Sequence, residues 1–430
     1  MKRIRIFALV LCAFFVSVAW AQPPTVGPRM GKFAIHHRAV NSFPKTNAAP
    51  SNPLVAAQAA AHQGKVWELK TYPGGTWASM GDVNDFGVAV AQGDLPDGST
   101  HNFAVPLLGP RAGEWIDLGT LGGTESGWDE GLITISNTGV IVGHSASTDE
   151  NRPHGVVWTE KSGMVDLGTL ADIGHTAYNS SYAAGVNRMG TLIVGWSGVE
   201  DSCIGCAPTL PVVWTPSVVW KNGRTVSTWT IHKLDTTGFD AMTKWFAWAV
   251  NDFGQIVGEG NGEDGAFVGV IWIPLKNGTW KLTKLPVVAG YPISEPFNIN
   301  DHGEISGNIE PADFSVWLPT FWKPLDLFRK TYSNPIVLPI PEGAYTTCYT
   351  DGINELGDLT GECWNDDQSL DQAVHWTTKD TTFSQVLGFP GDWSWSFRVN
   401  NNRIAVVTYG GGDKCSADHY ISCGGAIQFH

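Results

Sequence analysis

Carboxylates are the side chains of this sequence best able to do chemistry, and they recur in pairs. The pairs are Asp94 and Asp97, Asp149 and Glu150, Glu200 and Asp201, Glu263 and Asp264, Glu310 and Asp313, Asp366 and Asp367, and Asp413 and Asp418. Two carboxyl groups about 5–10 Å apart across a sugar would serve a glycoside hydrolase. Clustered oxygens would also accommodate a bound cation. His144, His154 and His175 also fall in expected loops and would suit a polysaccharide lyase as bases. Each feature has a plainer reading: acidic loops keep an exported protein in solution, and a loop histidine is ordinarily a surface residue. No G-x-S-x-G, HExxH or P-loop is present, so no catalytic set is assigned.

Aromatic rings form the second group. Trp77, Trp128, Tyr178, Trp245, Tyr291, Tyr345, Trp393 and Trp395 each lie five to nine residues before a recurring Asn. Ring faces with polar neighbours stack on sugars, so these residues are the expected ligand platform. Their alternative role is packing between repeats. Cysteines are the third group. Cys348 and Cys363 flank a turn symmetrically and Cys415 and Cys423 bracket one loop, so both pairs are expected as disulfides. Cys203 and Cys206 form a CxxC, which reads as a redox pair, half a zinc site or a small loop disulfide; the last is favoured, because there is no second CxxC and no βαβ context.

The elements that must carry these groups repeat along the chain. One signature is Leu followed a few residues later by Gly, at Leu69, Leu118, Leu167, Leu234, Leu285, Leu338 and Leu387. The other is an apolar residue, Asn, a polar turn and Gly, centred on Asn84, Asn137, Asn187, Asn251, Asn300, Asn354 and Asn400. Asn-Asp-x-Gly is hairpin chemistry, with Gly taking the left-handed turn position. A short apolar run ending in Trp fills the unit at Trp158, Trp214, Trp272, Trp322 and Trp376. Four strands per 46 to 64 residues read as propeller blades. In chain order we name them A and B (the Asn hairpin), C (the Trp strand) and D (the Leu-Gly strand). Val66–Leu69 is a D strand with no blade before it, and Gly425–Phe429 is a C strand with no D after it. Pairing them closes the ring and removes two open edges. A Gly four residues after the turn Gly, as at Gly258 and Gly361, is expected to make room for the C-strand Trp.

The repeats resemble the HAF-repeat family of bacterial extracellular proteins, which alternates DLGTLGG, INxxGxVVG and HAFLW. DLGTLGG is intact at Asp117–Gly123; the third motif survives as His101-Asn102-Phe103 and as His154 to Trp158. The resemblance runs from about Val66 to the end. It implies fold and an extracellular location, and no activity.

Residues 1–21 read as a secretory signal: Lys2, Arg3 and Arg5 precede an apolar run and an Ala-Trp-Ala cleavage site. Residues 22–64 are rich in Pro, Ala and Gln and read as a disordered linker. Residues 65–430 are expected to be an all-β, seven-bladed β-propeller of four-stranded blades. Its A–B and C–D turns would share one face, and its B–C and D–A loops the other. The acidic pairs and aromatic platform would mark that second face. A net charge of −14 disfavours nucleic acid and anionic membrane. The expected function is a secreted or periplasmic binding or scaffold module for carbohydrate or an extracellular protein, monomeric and without a required cofactor. A polysaccharide lyase or glycoside hydrolase on the same face is the alternative.

Overall fold

The computed structural model describes residues 63–430 apart from 128–131, 149–151, 200–207, 222–223, 263–266, 327, 367–368, 412–414 and 416–421. Trp128, Cys203 and Cys206 lie outside the described residues, as do segments 1–21 and 22–62 and several of the loop carboxylates.

Seven small antiparallel sheets form a seven-bladed β-propeller. Blade 1 shows the pattern: Ala78–Val83, Val88–Asp94, Thr100–Pro106 and Ile116–Asp117 follow one another from the axis outward. In blade 2 the inner strand is interrupted, with Gly122–Ser126 and Thr134–Ile135 both paired to Ile141–Ser147. Blade 7 takes its A, B and C strands from Trp393–Trp395, Ile404–Gly410 and Cys423–Phe429. Its D strand is Gln63–Lys70, antiparallel to Cys423–Phe429, with Val66 opposite Ile427. The closing strand therefore begins two residues before the expected boundary at residue 65.

The Leu-Gly signature works between blades. Leu118, Leu167, Leu234, Leu285, Leu338 and Leu387 each follow a D strand and are buried. Each donates its backbone N–H to the neighbouring C strand, as Leu167 does to Gly155 and Leu285 to Gly269. The C-strand Trp of the next blade then donates its indole N–H to a carbonyl at this corner. Trp214 donates to Leu167 at 2.8 Å, Trp272 to Asp235 at 2.7 Å and Trp376 to Pro339 at 2.8 Å. Burying an indole costs least where its N–H finds such an acceptor.

The Asn signature stitches the turns together. Asn84 Oδ1 accepts from the N–H groups of Phe86 and Val88 at 3.1 and 3.0 Å, which fixes its own turn. Its Nδ2 donates to the Ser136 carbonyl of the next blade at 3.1 Å. Asn251, Asn300, Asn354 and Asn400 repeat the step, and Asn400 donates to the Asn84 carbonyl at 2.8 Å, across the closing joint. In blade 2 the equivalent residue is Ser136, one position before Asn137, as its turn bond to Val140 shows. Ser136 Oγ caps that turn at 2.9 Å, but serine has no second arm to reach onward.

The B-strand glycines answer to backbone, and not to the Trp ring. A Cβ on Gly258 would lie 2.0 Å from the Phe246 carbonyl oxygen, and one on Gly361 1.8 Å from that of Tyr349. The close approach accompanies a repeated bulge: the register skips Gly81, Ala184, Trp248, Phe297 and Asp351 in five inner strands. A bulge turns an extra side chain out of the ladder, here toward the axis.

Candidate functional site

The bulges decide what fills the centre. Tyr182, Phe246, Trp248, Phe297, Tyr349 and Phe397, all on inner strands or their ends, form one buried cluster with Trp196. Phe246 and Trp248 stack at 5.4 Å, and Trp248 meets Phe297 at 6.0 Å. The axis is thus plugged by aromatic rings and polar at both ends.

At the A–B turn end a cavity of about 100 Å³ opens on the axis. Asp82, Thr134, Asn298 and Arg398 line its depth, and Asp85, Asn137, Arg188, Asp301, Glu355 and Asn401 its mouth. The mouth residues occupy the position after the signature Asn or its Ser136 equivalent, where Asp252 completes the set of seven. Their side chains pass hydrogen bonds from blade to blade. Asp252 N–H donates to Asp301 at 2.8 Å, Asp301 N–H to Glu355 at 2.9 Å, Glu355 N–H to Asn401 at 2.9 Å, and Asn401 N–H to Asp85 at 2.8 Å. Arg188, the one cation among the seven, reaches from blade 3 to Asp85 of blade 1 and, at 3.1 Å, to Glu355 of blade 6. It therefore spans the opening.

Four carboxylates against one guanidinium leave the mouth negative. Burial and the charge of Asp301 hold the Glu355 carboxyl above its ordinary range despite Arg188. Burial, together with Asp301, raises Asp252 in the same way. Deeper in, burial pushes Asp82 up to about 6 against the pull of Arg398 and backbone N–H bonds from Ile135 and Val83. We expect Arg188→Gln to cost about 1 kcal/mol or somewhat more at low salt, because its ion pairs are still partly open to solvent. Thermal melts should show most of that loss vanishing in molar salt, and an equal loss in both would exclude a charge effect.

At the opposite end, where B–C and D–A loops meet, four half-buried tryptophans lie on blades 5, 6 and 7. Trp317 and Trp364 meet at 5.9 Å, and Trp393 and Trp395 stack at 4.6 Å. Trp317, Trp364 and Trp395 pack on the same central cluster. Below them, Tyr349 is buried beside Asp351, Glu295, Glu310 and Glu362; burial and these four charges push its hydroxyl well above the usual range. Burial likewise raises Glu362 to about 8, although Asp371 shares a hydrogen bond with it.

The remaining sequence-read aromatics do not converge. Trp245 is 2 % exposed and packs between blades against Trp272 and Phe239. Tyr345 is buried in the core of blade 6, and Tyr178 and Tyr291 join separate inter-blade clusters. Trp77 is half-buried, its N–H held by Asp94 at 2.9 Å. Of the described members of the expected platform, only Trp393 and Trp395 touch. Trp317 and Trp364 were missed because nothing about them recurs from repeat to repeat. The mouth residues had a partial signal: the position following the recurring Asn is charged or an amide in six of the seven repeats, and Thr138 breaks the pattern because the blade 2 turn begins at Ser136.

Several candidate catalytic groups serve structure. Asp94 caps Thr76 and Trp77, while Asp97 and Asp313 cap Ser99 and Ser315 in tight turns. His144 is buried, and burial alone lowers it to about 3, which keeps it neutral. His154 pairs with Asp166 at 2.8 Å, and His175 is exposed. Two expected disulfides are present: Cys348–Cys363, which face each other across strands A and B, and Cys415–Cys423. Among the described residues, no group of three or more His, Cys, Asp or Glu is placed to hold a metal ion. No helix among them is long and apolar enough to cross a membrane.

No protein-family model matches the chain, and no curated protein does. Solved structures align with the chain at low identity and TM-scores below 0.5. A Trypanosoma rangeli sialidase aligns at 13% identity and a TM-score of 0.37, covering 83% of this chain and 55% of that one. Porphyromonas gingivalis dipeptidyl peptidase 4 aligns at 7% and 0.41, covering 85% and 59%. Sucrose-6-phosphate hydrolase from Lactobacillus gasseri aligns at 11% and 0.25, covering 90% and 98%. The chain spans about half the length of the sialidase.

Proposed function

We propose that this propeller is an exported binding module whose B–C/D–A face takes a carbohydrate. One observation carries the reading: the two tryptophan pairs, Trp317 with Trp364 and Trp393 with Trp395, lie partly buried at the loop end of three adjacent blades. Rigid rings anchored on a core present stacking faces at little entropic cost. Asp366 and Asp392 are exposed near them and would accept hydrogen bonds from hydroxyl groups. The two disulfides suit an oxidising compartment, in keeping with the signal-like residues 1–21.

A second reading, a glycoside hydrolase or polysaccharide lyase on this face, is favoured by Glu362, whose raised carboxyl would suit a general acid. Glu362 is 2 % exposed, out of a ligand's reach in this conformation.

A panel of neutral and acidic polysaccharides separates the readings. We expect binding by calorimetry with no new reducing ends or unsaturated products. Trp364→Ala and Trp393→Ala should each weaken it about tenfold, since a stacked ring contributes about 1 kcal/mol or somewhat more. Affinity unchanged in the double variant would refute the tryptophan face, and turnover would establish the enzyme.

A further inference from the structure

The face opposite the proposed carbohydrate site carries an acidic opening inside an apolar collar. Around the mouth, the next position of the A–B turns exposes Phe86, Met189, Phe253 and Leu356, with Phe86 at 71% and Phe253 at 56% exposed and Arg329 over the Phe253 ring; the other three positions are Thr138, His302 and Asn402. Phe328, in the C–D loop of blade 5, adds a ring that is 78% exposed. Within the collar Asp252 and Asp301 lie on adjacent blades, and neither has an ion pair among the described residues; Arg188 is engaged with Asp85 and Glu355. A surface of this kind fits a chain segment that mixes cationic and apolar side chains.

The chain itself supplies such a segment, and the fold delivers it to this face. Residues 22–62 contain Arg29, Lys32, Arg38 and Lys45 and no Asp or Glu. Met30, Phe33, Ile35 and Phe43 are interspersed with these cations. Seven of the 27 Lys and Arg precede Gln63, which leaves 20 of them against all 41 Asp and Glu in residues 63–430. Gln63 pairs with Phe429 at the end of the last C strand. That end lies on the A–B turn side, where Gln428 Nε2 donates to the carbonyl of Asn402 in the blade 7 turn, at 3.1 Å. From an outer strand to the axis is three strand spacings, about 14 Å, plus the channel radius. At about 3.3 Å per residue, fewer than a dozen residues cover that distance, so Lys45 and the residues before it can reach the mouth.

We infer that the basic segment Arg29 to Lys45 of this chain docks over its own axial mouth, placing cations against Asp252 and Asp301 and apolar side chains against the exposed Phe86, Met189, Phe253 and Leu356. The opposite face stays open for its ligand.

Zero-length carbodiimide coupling of the full chain, read by peptide mass spectrometry, tests this. Lys32 or Lys45 should couple to Asp252 or Asp301 within one chain. The yield should fall about tenfold in 1 M salt, which screens charges beyond about 3 Å. It should fall similarly in Arg29→Gln/Arg38→Gln, a variant outside the ring that keeps both lysines. Coupling spread over carboxylates of the other face would overturn the proposal, as would links only between two chains or a yield indifferent to salt and to the arginines. Asp252→Asn/Asp301→Asn adds a check from the propeller side, and undiminished coupling of the lysines there would also count against it.

Discussion

Deleting Gln63–Lys70 is expected to abolish a stable monomeric propeller. The strand packs Val66, Trp67 and Leu69 against the cores of blades 7 and 1, and Trp67 donates its indole N–H to the Leu107 carbonyl at 2.9 Å. Backbone bonds at about 1 kcal/mol each and three partly buried apolar side chains together approach the roughly 5–15 kcal/mol that keeps a whole domain folded. The deletion also leaves Cys423–Phe429 as an open edge, which invites pairing with another chain. Gel filtration and thermal unfolding should show aggregate or oligomer and a lost transition. A deletion variant that stays monomeric with an unchanged Tm would mean that ring closure contributes little.

The second large effect is stabilising. In Glu362→Gln the fold should gain about 3–5 kcal/mol at pH 8 and nothing from this source near pH 4. The sign follows from the direction of the shift. The folded carboxyl titrates at about 8, above its ordinary value of 4.5, because it is buried. Below about 4.5 both folded and unfolded chains hold the proton, so nothing is lost. Between about 4.5 and 8 only the unfolded chain releases it, and stability falls by about 1.4 kcal/mol per pH unit before levelling. Glutamine keeps the shape without that liability. Melts of both proteins from pH 4 to 9 should diverge progressively up to about pH 8, and a constant gap would exclude ionisation of Glu362 as the cause. Asp358 behaves oppositely. Burial opposes its ionisation, but hydrogen bonds from His375, Asn354 and Arg403 hold it down to about 2, so its contribution is lost only in strong acid.

What could be read before folding follows from what repeats. Leu167 and Asn251 recur because every blade meets its neighbour in the same way, and the recurrence alone sets blade number and closure. Cys348 and Cys363 were legible because two strands leaving one turn must face each other. The turn in blade 2 was read one residue late, on Asn137, because Ser136 caps a turn equally well and only the register shows which residue does so. Trp245 was misplaced for a different reason. A loop position before an inner strand does not fix which way a ring points, and this ring turned into the gap between blades. Arg188 lay in a recurring position, but its partners stand 103 and 167 residues away on non-adjacent blades, and no local pattern encodes that reach.

The hoop of asparagine amides has one more consequence. Its step from Asn400 to Asn84 is made of the same donor and acceptor as its step from Asn300 to Asn354. The seam between the chain's two ends is therefore an ordinary joint; the hoop is interrupted elsewhere, at Ser136 of blade 2 and at Asn187 of blade 3, which donates to the Asp252 carboxylate instead of a carbonyl. Joining the present ends and opening the chain in another blade's peripheral loop should give a circular permutant with the same seven sheets, its new seam hidden wherever the cut was made.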